Sequence, residues 1–364
     1  MQKDTSPMSY ILRTFGNLPL LAVLALAPGQ TGAQAAATFT TFDAPGAGTL
    51  AGQGTFPQSI NATGSIAGFY IDANNAGHGY VQYDTGVFAS FDGPGATTTQ
   101  AYSINSSTEI TGTYVNASGL YRGFVRNSSG TLRTFAAPGA GTLGGQGTFP
   151  QSIDNAGTVT GRFIDANLVD HGFTRTASGV FTTFEVPGGG TNAGQGTQGI
   201  GINNGGVVTG VYYDASDIAH GFVQSASGTI TTFDAPDAPD GTIPFGINAA
   251  GTVTGHYSVS FSVLGGFVRS ASGEITTFNA GGSSFTVCYG INNAGDVTGF
   301  YQDTTGLLHG FLRSPAGSIA TFEVPGSPTC AGCGTIAHAI NSAGDVTGYY
   351  LDASTVSHGF LRKP

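Results

Sequence analysis

The sequence predicts an all-β protein, a seven-bladed β-propeller with four-stranded blades, and three observations lead to this prediction. One framework recurs seven times, at intervals of 44 to 49 residues. Its three defining positions keep constant spacings in every copy, so insertions are confined to one loop per repeat. The 60 Gly residues fall mainly between runs of strand-forming residues. A repeat of this length and composition is typical of a propeller blade.

The framework begins with Asn, or once Asp: Asn61, Asn105, Asp154, Asn203, Asn248, Asn292 and Asn341. The second position is usually His, and it precedes Gly and an aromatic residue in most copies: His78, Arg122, His171, His220, Gly265, His309 and His358. The third position is Phe in each of the first six copies: Phe91, Phe135, Phe184, Phe233, Phe278 and Phe322. The step from the first position to the second, and from the second to the third, is the same in each copy.

Each copy divides into four short strands, which the sixth copy illustrates. Its predicted strands cover residues 285–291, 296–303, 309–313 and 318–322. The turns between the first and second strands and between the third and fourth strands end in Gly, as tight turns that need a positive φ usually do. Apolar residues alternate along these strands, which suits a sheet that is covered on both faces by neighbouring blades.

The two chain ends predict how the ring closes. The seventh copy stops after its third strand at Pro364, whereas residues 38–43 match a fourth strand. The N-terminal strand is therefore expected to complete the last blade and to leave no open sheet edge. We expect a single propeller domain over residues 36–364.

The first 35 residues are predicted to be a signal peptide. An apolar stretch, residues 18–27, follows Lys3 and Arg13, and the small residues around Ala35 fit a cleavage site. No later segment is long and apolar enough to predict a membrane span. We therefore expect a secreted or periplasmic monomer. The net charge of −10 argues against nucleic acid as a partner.

The repeats resemble the HAF-repeat family of extracellular bacterial proteins, which is named for a His-Ala-Phe motif. The matching triplets here read His-Gly-Phe, and the opening position lies in units such as Ile291 to Gly299. The resemblance covers nearly the whole mature chain and implies export and a propeller-like repeat. It implies no activity. The triplets begin at His171, His220, His309 and His358.

An Asp precedes the recurring His by six residues in five copies. In the other two copies both members are replaced, by Asn116 with Arg122 and by Val259 with Gly265. Joint loss predicts that the pair touches, through a carboxylate that accepts a hydrogen bond from the imidazole and pins the loop. The alternative is one ligand site per blade. The pairs are Asp72 with His78, Asp165 with His171, Asp214 with His220, Asp303 with His309, and Asp352 with His358.

Ligand chemistry is expected where the copies differ, because loops on a rigid frame usually carry binding. Four long loops precede a new copy, over residues 43–58, 136–151, 185–200 and 323–338. The position three before the opening residue also varies, and it predicts a small-molecule or sugar pocket at the channel mouth, with packing between blades as the alternative. This position holds Gln58, Tyr102, Gln151, Ile200, Phe245, Tyr289 and His338.

The three Cys residues predict one disulfide and one buried thiol. Cys330 and Cys333 lie in one long loop, and an oxidising compartment favours a bond between them. The alternative is a zinc site of these two with Cys288 and His338. No resident metal or cofactor is expected.

The leading functional prediction is a non-enzymatic exported propeller that binds a carbohydrate or protein ligand through its long loops. No serine-nucleophile motif or metal-ligand spacing occurs in the sequence. The first alternative is a polysaccharide lyase or hydrolase that acts in the central funnel, with His338 as base and Tyr289 as acid. The second alternative is a structural cell-surface protein.

Overall fold

The computed structural model describes residues 37–260 and 262–364. The predicted signal peptide lies outside the described residues. The described part contains 28 β-strands and one 3₁₀ turn, Ala280–Gly282, and no α-helix is present there. The prediction of an all-β fold is confirmed.

The strands after β1 (Thr38–Phe42) follow one another in seven sets. The first set is β2 (Gly54–Ile60), β3 (Ile66–Ile71), β4 (Gly77–Gln82) and β5 (Phe88–Phe91). The second is β6 (Ala96–Ile104), β7 (Ile110–Asn116), β8 (Tyr121–Arg126) and β9 (Leu132–Phe135). The third is β10 (Gly147–Ile153), β11 (Val159–Ile164), β12 (Asp170–Arg175) and β13 (Phe181–Phe184). The fourth is β14 (Gly196–Ile202), β15 (Val208–Tyr213), β16 (Ala219–Gln224) and β17 (Ile230–Phe233).

The fifth set is β18 (Gly241–Ile247), β19 (Val253–Ser260), β20 (Val263–Arg269) and β21 (Ile275–Phe278). The sixth is β22 (Thr286–Ile291), β23 (Val297–Gln302), β24 (Leu308–Arg313) and β25 (Ile319–Phe322). The seventh begins with β26 (Gly334–Ile340), β27 (Val346–Leu351) and β28 (Ser357–Lys363).

Consecutive strands within a set are antiparallel neighbours. The seventh set has three consecutive strands, and β1 pairs with the last of them. Thr38 lies opposite Lys363, and Phe42 lies opposite Gly359. This is the pairing that the sequence predicts for the N-terminal strand.

Neighbouring sets meet along their first strands. The first strand of each set contacts the first strand of the next, and β26 contacts β2. The third strand of a set also touches the next first strand, through Gly77 and Thr98 after the first set and through Ser357 and Gly54 after the seventh. The same neighbour relation therefore holds between the last and first sets as between the others.

Every first strand carries a β-bulge near its C-terminal end. In β2 the register shifts between Pro57 and Ser59, so Gln58 is the extra residue. A bulge bends the strand and redirects the side chain of the extra residue. The extra residues are those at the variable position three before the opening residue: Gln58, Tyr102, Gln151, Ile200, Phe245, Tyr289 and His338.

Aromatic side chains fill the space between sets. Phe184 of β13 packs against Phe222 of β16, with ring centroids 5.8 Å apart and the rings edge to face. The same contact joins Phe233 to Phe267 at 5.9 Å. Phe222 and Phe267 are fully buried. Burying such a side chain contributes about 1.5–3 kcal/mol. The recurring Phe of the fourth strand is thus a packing residue between one set and the next.

Candidate functional site

The connections between strands form two ends of the molecule. One end, here called the turn end, carries the tight turns after the first and third strands of each set, such as residues 61–65 and 83–87. The other, here called the long-loop end, carries the loops after the second and fourth strands, such as residues 72–76 and 43–53. The two regions that the sequence predicts as binding sites lie apart, because the long loops are at one end and the bulge residues are near the other.

In five copies the opening Asn links the turn end of one copy to that of the next. Asn203 accepts hydrogen bonds at Oδ1 from the backbone N–H groups of Gly205 and Val207, both at 3.0 Å. Its Nδ2 donates to the carbonyl of Asn248, the opening residue of the next copy, at 2.9 Å. Asn341 makes the corresponding bond to the carbonyl of Asn61 at 3.1 Å. These Asn side chains therefore use both their oxygen and their nitrogen within the protein.

At the long-loop end, each recurring His lies between two carboxylates. His220 Nε2 is 3.6 Å from Asp214, the Asp that the sequence pairs with it. Its Nδ1 is 2.9 Å from Asp234, which the sequence reasoning missed. The imidazole also stacks on Tyr212 with ring centroids 5.0 Å apart. The other four clusters share this arrangement: Asp72, His78 and Asp92; Asp165, His171 and Glu185; Asp303, His309 and Glu323; Asp352, His358 and Asp43.

The predicted hydrogen bond between the paired Asp and His is present only at Asp303 and His309, where the atoms are 3.1 Å apart. In the other four pairs the His Nε2 and the Asp Oδ2 are 3.5–3.7 Å apart. The other carboxylate of each cluster lies nearer to the His, as Asp234 does to His220. In every pair it is Oδ2 that faces the His, while Oδ1 serves the loop of the Asp itself. Asp214 Oδ1 accepts the N–H groups of Ser216 and Ile218 at 2.8 and 2.9 Å.

In two of the pairs these loop hydrogen bonds lower the pKa of the paired Asp. The backbone N–H of Ile218 is the largest influence on Asp214 and holds its pKa below the ordinary value. The N–H of Ala76 acts in the same way on the pKa of Asp72. Hydrogen bonds to a carboxylate favour its ionised form. The loop is therefore pinned by the Asp and its own backbone, with the His as a second contact.

A sequence signal for the missed carboxylate exists. The acid is the residue directly after the recurring Phe, or after Phe42 for the seventh set. It is replaced in the same two copies that lack the Asp and His, by Ala136 and by Asn279. Three positions thus vary together.

The long loops are fastened to the loops beside them. Gly194 N–H donates to the carbonyl of Leu168 at 2.8 Å, and Gly145 N–H donates to that of Gly119 at 2.8 Å. Gly332 and Gly52 make equivalent bonds to the carbonyls of Gly306 and Thr355. In each case the long loop follows the fourth strand of a set, and its partner is the loop after the second strand of the same set. In these four sets the two loops are therefore held together as one hydrogen-bonded unit.

The long-loop end exposes apolar side chains as well as carboxylates. Leu50 and Leu143, in the two long loops of nearly identical sequence, are 65% and 69% exposed. Leu168 and Val259 are also exposed there. The carboxylate of Asp234 is about half exposed, at 52%. The surface therefore offers both apolar contact area and hydrogen-bond acceptors to a ligand.

The bulge residues contact one another across neighbouring sets. Tyr289 stacks on His338 with ring centroids 4.3 Å apart, and Phe245 packs edge-on against Tyr289 at 5.1 Å. His338 Nδ1 donates to the carbonyl of Gln58 at 3.1 Å. Tyr102 donates through its hydroxyl to Gln100 at 2.7 Å. The bulge residues thus contact other residues of the protein through stacked rings and hydrogen bonds. Gln151, at the equivalent position of the third set, is half-buried.

The electrostatics of His338 and Tyr289 run against the base and acid roles that the enzyme alternative gives them. Burial lowers the pKa of His338 to about 4, which makes its imidazole a weak base. Burial raises the pKa of Tyr289 well above its ordinary value, which makes it a poor proton donor.

The cysteines form the predicted disulfide. Cys330 and Cys333 are bonded, with Cα atoms 5.2 Å apart, and Cys288 is a buried free thiol. Burial raises the pKa of the Cys288 thiol to about 12. The disulfide removes two ligands from the alternative zinc site, and residues 37–260 and 262–364 contain no group of three His, Cys, Asp or Glu side chains placed to hold a metal ion.

Within the described part of the chain, no helix is long and apolar enough to cross a membrane. A scan against protein-family models finds no match, and a search of curated proteins finds none either. The resemblance to the HAF-repeat family therefore remains a prediction.

Solved structures do resemble this chain. A streptogramin B lyase is 14% identical with a TM-score of 0.54, and the match covers 90% of this chain and 98% of the lyase. The BP39L lectin from Burkholderia pseudomallei is 11% identical with a TM-score of 0.54, over 84% of this chain and 96% of the lectin. A prolyl endopeptidase is 10% identical with a TM-score of 0.53, over 87% of this chain and 47% of the other. The lyase and the lectin are β-propeller proteins. At these identities the likeness concerns the fold alone, and the chain has a propeller-like β fold.

Proposed function

We propose that this protein is an exported, closed, seven-bladed propeller that binds a carbohydrate at its long-loop end without chemical turnover. Closure is supported by the pairing of β1 with β28 inside the seventh set and by two contacts between the seventh and first sets, which are that of β26 with β2 and the bond from Asn341 to Asn61. The Cys330–Cys333 disulfide supports export, because disulfides persist in oxidising compartments.

One observation favours the long-loop end as the binding site. Each long loop is hydrogen-bonded to the loop beside it, and this end exposes Leu50 and Leu143 as well as half-exposed carboxylates. A preformed surface loses little entropy when a ligand binds. Carboxylates accept hydrogen bonds from sugar hydroxyls, and apolar side chains contact the faces of sugar rings. The lectin among the similar structures makes carbohydrate the first ligand to test.

The turn end supplies a matched control for the test. Val87 and Val180 are 59% and 62% exposed there, close to the exposure of Leu50 and Leu143 at the long-loop end. Leu50→Asp with Leu143→Asp and Val87→Asp with Val180→Asp therefore make the same change in charge and a similar change in apolar surface. Only the first double variant alters the proposed site.

The measurement is a glycan array followed by titration calorimetry and product analysis. We expect stoichiometric binding of at least one glycan with no product, at least a tenfold loss of affinity in the Leu50 and Leu143 variant, and no change in the Val87 and Val180 variant. The proposal is wrong if no glycan binds to the folded protein or if both variants bind as the parent does. Formation of a shortened or unsaturated product would support the enzyme alternative instead.

A further inference from the structure

The second set departs from the three-residue cluster at every position. Asn116 stands in the place of the paired Asp, Arg122 in the place of the His, and Ala136 in the place of the second carboxylate. Five sets thus place one imidazole between two carboxylates. The second set places a guanidinium where no carboxylate remains in the cluster.

An open pocket of about 420 Å³ lies at this position. Its lining includes Tyr114, Asn116, Arg122, Thr134 and Ala136, and no acidic side chain is among the residues that line it. The small side chain of Ala136 leaves the space that Asp or Glu fills in the five complete clusters.

Arg122 has no hydrogen bond or ion pair with the residues that the structure describes, and it is partly exposed. Six other arginines lie over Phe rings, as Arg126 does over Phe91 at 5.1 Å. Arg162 is held by the buried carboxylate of Asp170 at 3.0 Å. The guanidinium of Arg122 is therefore available to a ligand, and its planar donors suit a two-oxygen anion.

The amide of Asn116 adds a second donor. Its Oδ1 accepts hydrogen bonds from the N–H groups of Ser118 and Leu120, at 3.0 and 3.1 Å, and from the Ser118 hydroxyl. Because Oδ1 is fixed by these donors, Nδ2 takes the place of the Asp oxygen that faces the His in the complete clusters. The Asp-to-Asn change thus turns an acceptor into a donor beside Arg122.

The fifth set shows that loss of the cluster alone does not produce such a site. There the three positions hold Val259, Gly265 and Asn279, none of them cationic. A Cβ at Gly265 would be 2.4 Å from the ring of Tyr257, so this ring occupies the place of the imidazole.

We propose that the pocket of the second set binds a small oxyanion group, such as the carboxylate of an acidic sugar or free inorganic sulfate, through Arg122 and Asn116. The pocket lies at the long-loop end, but it requires an anion and not a sugar, so inorganic sulfate tests this proposal apart from the carbohydrate proposal above. Salt screens the attraction between the Arg122 guanidinium and the anion, and we expect this near contact to outweigh the more distant repulsion from the net charge of −10.

The test titrates the full mature chain with galacturonate, inorganic sulfate and neutral galactose at low and high salt, with calorimetry as the readout. We expect one anion per chain, weaker binding at high salt, and no competition by galactose at this site. Equal affinity for galacturonate and sulfate would identify the oxyanion alone as the ligand, whereas tighter binding of galacturonate would add contacts to the sugar ring.

The decisive variant combines Asn116→Asp, Arg122→His and Ala136→Asp, which rebuilds the cluster that five other sets already accommodate. We expect this variant to melt like the parent and to lose at least tenfold in anion affinity. Arg122→Lys should retain part of the binding. The proposal fails if the parent binds neither anion, or if the triple variant binds them as well as the parent.

Discussion

At the residue scale, the protein contains two histidines whose protonation opposes folding. His256 of β19 is buried, its Nδ1 has no hydrogen-bond partner within the described residues, and burial lowers its pKa to about 4. Burial also lowers the pKa of His338 to about 4. Both imidazoles are neutral in the folded state over a range in which an exposed His takes up a proton.

The sign of the pH dependence follows from these values. Each folded-state pKa lies below the unfolded value of 6.5, so the unfolded state binds more protons between about pH 6.5 and 4. The contribution of these residues to stability is present above pH 6.5 and is lost as the pH falls to about 4. For His256, the change amounts to about 3 kcal/mol.

The chain itself supplies replacements that do not titrate in this range. Phe occupies the position of His256 in the first and sixth sets, and Tyr occupies the position of His338 in the second and sixth. We expect His256→Phe with His338→Tyr to flatten the loss of unfolding free energy between pH 6.5 and 4, as measured by urea denaturation. Parallel curves for parent and variant would contradict the prediction.

The sequence predicts some of the residue-level contacts and misses others for a physical reason. Joint loss in two copies identifies the Asp and His as neighbours, because replacement of one partner relaxes the constraint on the other. The carboxylate after the recurring Phe is far from the His along the chain and follows another strand, so only strand pairing brings the two side chains close. The hydrogen bonds that hold Asp214 to its own loop leave no trace in the spacing.

At the element scale, the second strand of each set passes very close to the bulged first strand. A Cβ placed at Gly210 would be 2.0 Å from the carbonyl oxygen of Gln198. Equivalent glycines at 68, 112, 161, 255, 299 and 348 show distances of 2.0–2.3 Å to a carbonyl of the facing strand. This recurring Gly is the third residue of each second strand. Close contact with the facing backbone therefore requires Gly there. The sequence indicates that this Gly recurs but does not reveal the bulge that makes it necessary.

Gly210→Ala is expected to lower the free energy of unfolding by at least about 2 kcal/mol, because the obstructing atom belongs to the backbone and has little freedom to move. Gly205→Ala is the control, since it lies in an exposed turn where the nearest atom to a Cβ is 3.3 Å away. Its effect should stay within about 0.5 kcal/mol. Equal denaturation midpoints for the two variants would show that the strands separate more easily than the structure indicates.

At the scale of the whole molecule, the sequence predicts the order and pairing of the strands better than it predicts the binding site. The period, the constant spacings and the matching chain ends suffice to predict a propeller-like repeat and the pairing of β1 with β28. The long loops enter the first strands at their N-terminal ends and the bulge residues lie near the C-terminal ends, so the two candidate regions lie toward opposite ends. Insertions are tolerated in the long loops, and these loops form the surface assigned to binding.

The N-terminal strand provides the last prediction, which concerns closure. Phe39 packs between Phe322 and Phe360, at 6.0 and 6.4 Å, and Asp43 contacts His358 at 3.0 Å. Deletion of residues 37–42 removes these Phe contacts and leaves the edge of β28 unpaired. Compared with a chain that begins at Ala36, the shortened chain should lose about 3 kcal/mol or more of stability and should associate in solution. Calorimetric melting and size-exclusion chromatography measure both effects, and a monomer with an unchanged melting temperature would show that the fold does not depend on closure by β1.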